Sequence, residues 1–74
     1  MNNDYVIRMA NQIADALGIN PDRDQAIHDL ADHLNRFWEP RMRASLLTVA
    51  GSVDAAARLS PLVREAIARL RPPP

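Results

Sequence analysis

Apolar residues at Val6, Ala10, Ile13 and Leu17 recur in steps of four, three and four, the spacing that lays one buried stripe along a helix. Asn3 is a candidate cap for its start, and Gly18 follows Leu17 where a left-handed residue closes many helices. The spacing therefore predicts a first helix from residue 3 or 4 to residue 17. The next stretch, INPDRDQAIHDLADHLNRFW, opens with Asn20 as N-cap, Pro21 at the first helical position, and Asp22 and Asp24 in the positively polarised first turn. Ile27, Leu30, Ala31, Leu34, Phe37 and Trp38 then keep to one face. Glu39 precedes Pro40, which pushes it out of the α region, so the second helix should end near Trp38. Pro40 is placed to begin a third helix with Met42, Leu46, Val49 and Ala50 as its stripe and Gly51 as its stop. Ser52 can cap a short helix within SVDAAARL. Ser60 and Pro61 repeat the same start signal for a final helix, whose stripe of Leu62, Val63, Ala66, Ile67 and Leu70 carries it to about Leu70.

Pro72, Pro73 and Pro74 cannot continue that helix. No stretch alternates with period two for long enough to form a strand. The pattern specifies an all-α fold, a compact bundle of four to five short helices, as one domain over residues 1–71 with a polyproline tail at 72–74. Composition adds that this bundle has little stability to spare. The chain has 74 residues, and much of its 47% hydrophobic content is alanine, with Tyr5, Phe37 and Trp38 as the aromatic residues. Domains of this size bury a smaller share of their surface than larger ones. Without cysteine there is neither a disulfide framework nor a thiolate metal site, so stability falls to tight helix packing, self-association or a partner.

Charge narrows the function classes. Nine arginines, with no lysine, balance nine acidic residues, and a neutral domain argues against a nucleic-acid footprint. The absence of lysine fits arginine-biased coding, and it also fits a use of the planar guanidinium fork at interfaces. The opening MNNDYVIRMANQ has an acidic residue where a secretory signal carries positive charge, and no stretch approaches the length of a membrane span. The chain reads as soluble and cytoplasmic, with no membrane partner.

Candidate catalytic chemistry is sparse. His28 and His33 are five residues apart, which turns them about 140° from each other on a helix, so they cannot chelate one ion together. Asp24 with His28, and Asp29 with His33, share a face at i, i+4 and read as a solvated face with modest attraction. Two of the three serines, Ser52 and Ser60, already serve as caps, and two glycines cannot build a phosphate loop. The chain is not an enzyme on its own, and no catalytic, cofactor or metal residue is assigned. The most unusual stretch is FWEPRMR, residues 37–43. In one reading Phe37 and Trp38 complete the second helix's stripe, Pro40 sets the corner and Met42 fills the gap. In the other, Trp38, Arg41, Met42 and Arg43 form an aromatic and arginine anchor of the kind enriched at interface hot spots. Adjacent helical residues diverge by about 100°, which puts Phe37 in the core and leaves Trp38 half in and half available. Arg41 and Arg43 diverge too far to grip one carboxylate from one face.

The blocks VIRMANQIADAL (6–17), ADHLNRFWEPRMR (31–43) and LSPLVREAIARLR (59–71) together resemble the delta subunit family of NAD-dependent, molybdenum-containing formate dehydrogenases. The middle block is the most specific, and no family pattern is recognised between Leu47 and Leu59. The resemblance implies a small cytoplasmic polypeptide accompanying a multi-subunit enzyme that oxidises formate to carbon dioxide and reduces NAD. It implies that the large subunits hold molybdopterin guanine dinucleotide, iron-sulfur clusters and FMN, while this chain binds no cofactor. The delta subunit would then dock on the large catalytic subunit and support assembly or maturation of the molybdenum cofactor. From the matched blocks, the partner-binding residues would be Trp38, Arg41, Met42 and Arg43, with Arg8 and Asn11 contributing. The alternative is a homodimeric helical module whose leftover apolar surface pairs with itself.

Overall fold

A computed structural model describes residues 2–71; the proline tail expected at 72–74 lies outside the described residues. Five helices follow in order: α1 (Asn3–Leu17), α2 (Arg23–Phe37), α3 (Pro40–Ala50), α4 (Val53–Ala56) and α5 (Pro61–Ile67), and no strand occurs among the described residues. The all-α expectation therefore holds. The radius of gyration, 11.2 Å, is what a folded chain of this length has, about 11 Å.

The starts of the helices show local chemistry at work, with two shifts from the sequence reading. Asn2, not Asn3, caps α1, its side-chain oxygen accepting from the Asp4 amide at 2.8 Å. Asp22, not Asn20, caps α2 through the Gln25 amide at 3.1 Å. Asn20 instead accepts from the Asp22 amide at 2.9 Å, a turn that delivers the cap, and Pro21 lies before the helix. Pro40 and Pro61 each occupy the first helical position as expected. Ser52 and Ser60 cap α4 and α5.

The ends differ more. Gly18 adopts a right-handed conformation, φ −71°, because its amide continues the ladder to the Ala14 carbonyl at 2.7 Å. The left-handed stop predicted there is absent. Glycine is nevertheless required by close approach: a Cβ would stand 2.8 Å from the Ala14 carbonyl oxygen and 3.5 Å from Leu62 Cδ2. The last helix stops at Ile67, short of Leu70, and the amides of Arg69 and Leu70 close tight turns onto Ala66 and Ile67. Leu70 still reaches the core.

The helices pack α2 on α5 and α1 on α3, with α1 also touching α2 and α5, so all the long helices share one interior. Leu30, Leu34, Leu46, Leu59, Val6, Val49 and Val63 are its largest fully buried side chains. Buried Ala10, Ala14, Ala26, Ala31 and Ala66 let the helix axes approach closely between them. The corner between α2 and α3 reverses the expectation made for it. Trp38 is buried at 8% exposure, whereas Phe37 is 68% exposed. Trp38 sits just past the end of α2 in extended conformation. Leaving the helix swings its indole under the bundle, and Phe37, on the flank of the last turn, remains outside.

Candidate functional site: the corner between α2 and α3

The second half of FWEPRMR builds a polar lock. Arg43, in the first turns of α3, is 9% exposed, the one buried charged residue among those described. Its Nη1 donates to the Trp38 carbonyl at 2.8 Å and to the Asn35 carbonyl at 3.4 Å, and its Nε donates to the Arg71 carbonyl at 3.2 Å. The end of a helix leaves its last carbonyls without partners and carries partial negative charge. A cation with several donors set against that end satisfies both conditions. Arg43 thereby joins the end of α2, the start of α3 and the C-terminal segment. No buried polar side-chain atom among the described residues lacks a partner.

Two asparagines perform matching work at other seams. Asn11, on α1, donates to the Arg58 carbonyl at 3.0 Å and accepts from the Ser60 amide at 2.8 Å, holding the link between α4 and α5. Asn35, on α2, donates to the Arg69 carbonyl at 3.1 Å and accepts from the Arg71 amide at 2.8 Å, holding the chain after α5. Asn35 was not singled out by the sequence reading. The signal available was its type: asparagine is a poor helix-interior residue whose side chain seeks main-chain partners, so a mid-helix asparagine beside a buried stripe points to a seam.

The residues expected to meet a partner are thus divided. Trp38 and Arg43 lie inside, Asn11 has both ends of its amide engaged, Met42 is half-buried against the core, and Arg41 and Arg8 are exposed. Arg8 lies over the Tyr5 ring at 5.9 Å. Arg58 pairs with Asp4, Arg23 with Glu65 at 3.1 Å, and Arg36 with Asp32 at 3.5 Å. His28 is exposed, and His33 packs against Phe37 with ring centroids 5.0 Å apart. Among the described residues no group of three or more histidines and carboxylates gathers to hold a metal ion. Among the described residues no helix is long and apolar enough to cross a membrane.

A family model for the NADH-dependent formate dehydrogenase delta subunit, FdsD, matches residues 5–67. The chain belongs to the NADH-dependent formate dehydrogenase delta subunit family. The match runs from the first turn of α1 to the end of α5, including residues 47–59, where the sequence blocks had no recognisable family pattern. Comparison with curated proteins and with solved structures found no match. For a delta-family chain, the geometry above describes a helical unit whose distinctive corner is devoted largely to holding itself together.

Proposed function

We propose that this chain is a non-catalytic delta subunit that docks on the large catalytic subunit of a cytoplasmic, NAD-dependent formate dehydrogenase and supports its assembly or the maturation of its molybdenum cofactor. The observation that carries the reading is the family match across all five helices. On this reading, molybdopterin guanine dinucleotide, the iron-sulfur clusters and FMN belong to the other subunits. The solvent-facing candidates Arg41 and Arg8, with the outer edge of Met42, make contact directly. Trp38, Arg43 and Asn11 act by holding the helices in the presenting geometry.

The test is recovery of the tagged full-length chain from its native host grown on formate, with mass spectrometry and a formate-dependent NAD reduction assay on the eluate. Co-recovery of the large subunits with activity identifies a resident subunit. Co-recovery of inactive enzyme lacking its molybdenum cofactor identifies an assembly factor. Recovery of the bait alone overturns the proposal and leaves the homodimeric module as the reading to pursue.

A further inference from the structure

The formal net charge of zero conceals a division along the chain. Residues 1–35 hold six of the nine acidic residues and two of the nine arginines, while residues 36–74 hold seven arginines and three acidic residues. The fold gathers part of this excess at one place, the C-terminal end of α2. Asn35 and Arg43 bind the main chain of Arg69 and Arg71 against that end, and both of those arginine side chains are exposed. Arg36 follows Asn35 on the helix, and Arg41 follows the corner; both are exposed. At about 100° per residue, Arg36 stands between the flank carrying Asn35 and the flank carrying Phe37. The main chains of Arg36, Arg69 and Arg71 thus meet at this end, with Arg41 across the corner and the Phe37 ring beside Arg36; these four arginines and the ring are here called the collar.

Ordinary structural duties do not account for this surface. The helix dipole favours one cation in the last turn, which Arg36 supplies. Arg41, Arg69 and Arg71 make no side-chain hydrogen bond or ion pair among the described residues. Asp32, bridged to Arg36, Glu39, and Glu65, bridged to Arg23, are the acidic residues nearby in sequence. Phe37 stands 68% exposed with the Arg36 guanidinium 5.7 Å from its ring centroid.

We propose that this arginine collar, with Phe37 as its apolar plug, is the docking surface, and that its occupant is an acidic face with an apolar recess on another subunit of the formate dehydrogenase complex. The proposal rests on the accessory-subunit reading above. Charge complementarity selects the occupant, since exposed guanidiniums seek carboxylates in a bidentate fork and an exposed ring beside them gains by entering a pocket. A second copy fits less well. Its acidic residues Asp15, Asp22 and Asp24 are complementary in charge and could pair reciprocally about a two-fold axis, but the family matched is that of one subunit of a larger enzyme, which favours an unlike partner.

The full-length chain, tagged, is co-expressed with the other subunits as wild type, Phe37→Ser, the double variant Arg41→Glu/Arg69→Glu, and Asp15→Arg as a control away from the collar. Recovery of the other subunits should fall about tenfold or more in the two collar variants, with unchanged helicity by circular dichroism, and should persist in the control. Wild-type recovery should also weaken as salt rises. If both collar variants recover the other subunits as well as wild type does, the docking surface lies elsewhere and the accessory reading stands. If wild type recovers no other subunit, both proposals fall. Self-association in sedimentation, or binding of single-stranded RNA at low salt, that the collar variants abolish while subunit recovery is unchanged would assign the collar to a second copy or to nucleic acid and overturn the proposal.

Discussion

Truncating two adjacent aromatic residues to alanine should have very different consequences. Trp38 is 8% exposed and Phe37 is 68% exposed. A buried aromatic removes roughly 150–250 Å² from water. At about 25 cal/mol per Å² this is worth roughly 4–6 kcal/mol, close to the roughly 3–5 kcal/mol observed when buried Phe or Trp is cut to alanine. The carbonyl of residue 38 continues to accept from Arg43, so the loss is one of packing. A chain of this length has a total stability of about 4–11 kcal/mol at ~0.05–0.15 kcal/mol per residue. Trp38→Ala therefore removes from about a third of the stability to all of it, whereas Phe37→Ala, acting on a mostly exposed ring, costs less than about 1 kcal/mol. Urea unfolding followed by far-ultraviolet circular dichroism measures both. With a slope near 1 kcal/mol per molar, Trp38→Ala should lower the midpoint by about 3 M or leave no folded baseline, and Phe37→Ala should move it by less than about 1 M. Equal shifts, or a larger shift for Phe37→Ala, would refute the placement of Trp38 in the core.

Other substitutions probe the remaining joints. Arg43→Met removes three charge-assisted bonds and also the cost of burying a guanidinium; the net loss should be about 2–4 kcal/mol, read as a fall in melting temperature of roughly 10 °C or more. Asn11→Ala and Asn35→Ala should each cost about 1–2 kcal/mol. Hydrogen exchange should quicken at the Ser60 amide in the first and at the Arg71 amide in the second, and the reverse pattern would contradict the two seams. Gly18→Ala should destabilise by about 1 kcal/mol or more, because the new Cβ meets the Ala14 carbonyl oxygen at 2.8 Å. Gly51→Ala, whose nearest contact is 3.5 Å and whose φ is −80°, should be neutral or stabilising by up to about 1 kcal/mol in the same melts.

The helices were legible in the sequence because their signals are local. Pro40, Ser52, Ser60 and Pro61 act within one turn of themselves, so their positions emerged as read. The caps of α1 and α2 moved because Asn2 competes with Asn3, and Asp22 with Asn20, for the same orphan amides, and composition does not rank such neighbours. Phe37 and Trp38 were exchanged because a helical wheel assumes that the helix continues. Here α2 ends at Phe37, and the extended backbone at Trp38 sends its side chain where no wheel would put it. Asn35 and Arg43 were illegible for a different reason: their partners lie 34 and 36, and 28, residues away at Arg69 and Arg71, a separation that no local pattern encodes.

These distinctions bear on how a family signature should be used to locate a binding face. The FWEPRMR string is the most specific part of the resemblance, and it is tempting to assign the contact with a partner to its rarest members. Yet Trp38 fills the core, Pro40 starts a helix, and Arg43 locks three segments together. Their specificity is the specificity of a corner, and it accounts for recognition of the fold without any appeal to a partner. The residues of the string left over from that work are Phe37, Glu39 and Arg41, all exposed, with Met42 at the margin. Two of them, Phe37 and Arg41, fall within the arginine collar, whose other members, Arg36, Arg69 and Arg71, lie outside the string. A surface assembled from the middle and the C-terminal end of the chain in this way depends on the Asn35 and Arg43 ties, so loosening those ties should weaken docking even though neither side chain needs to touch the partner.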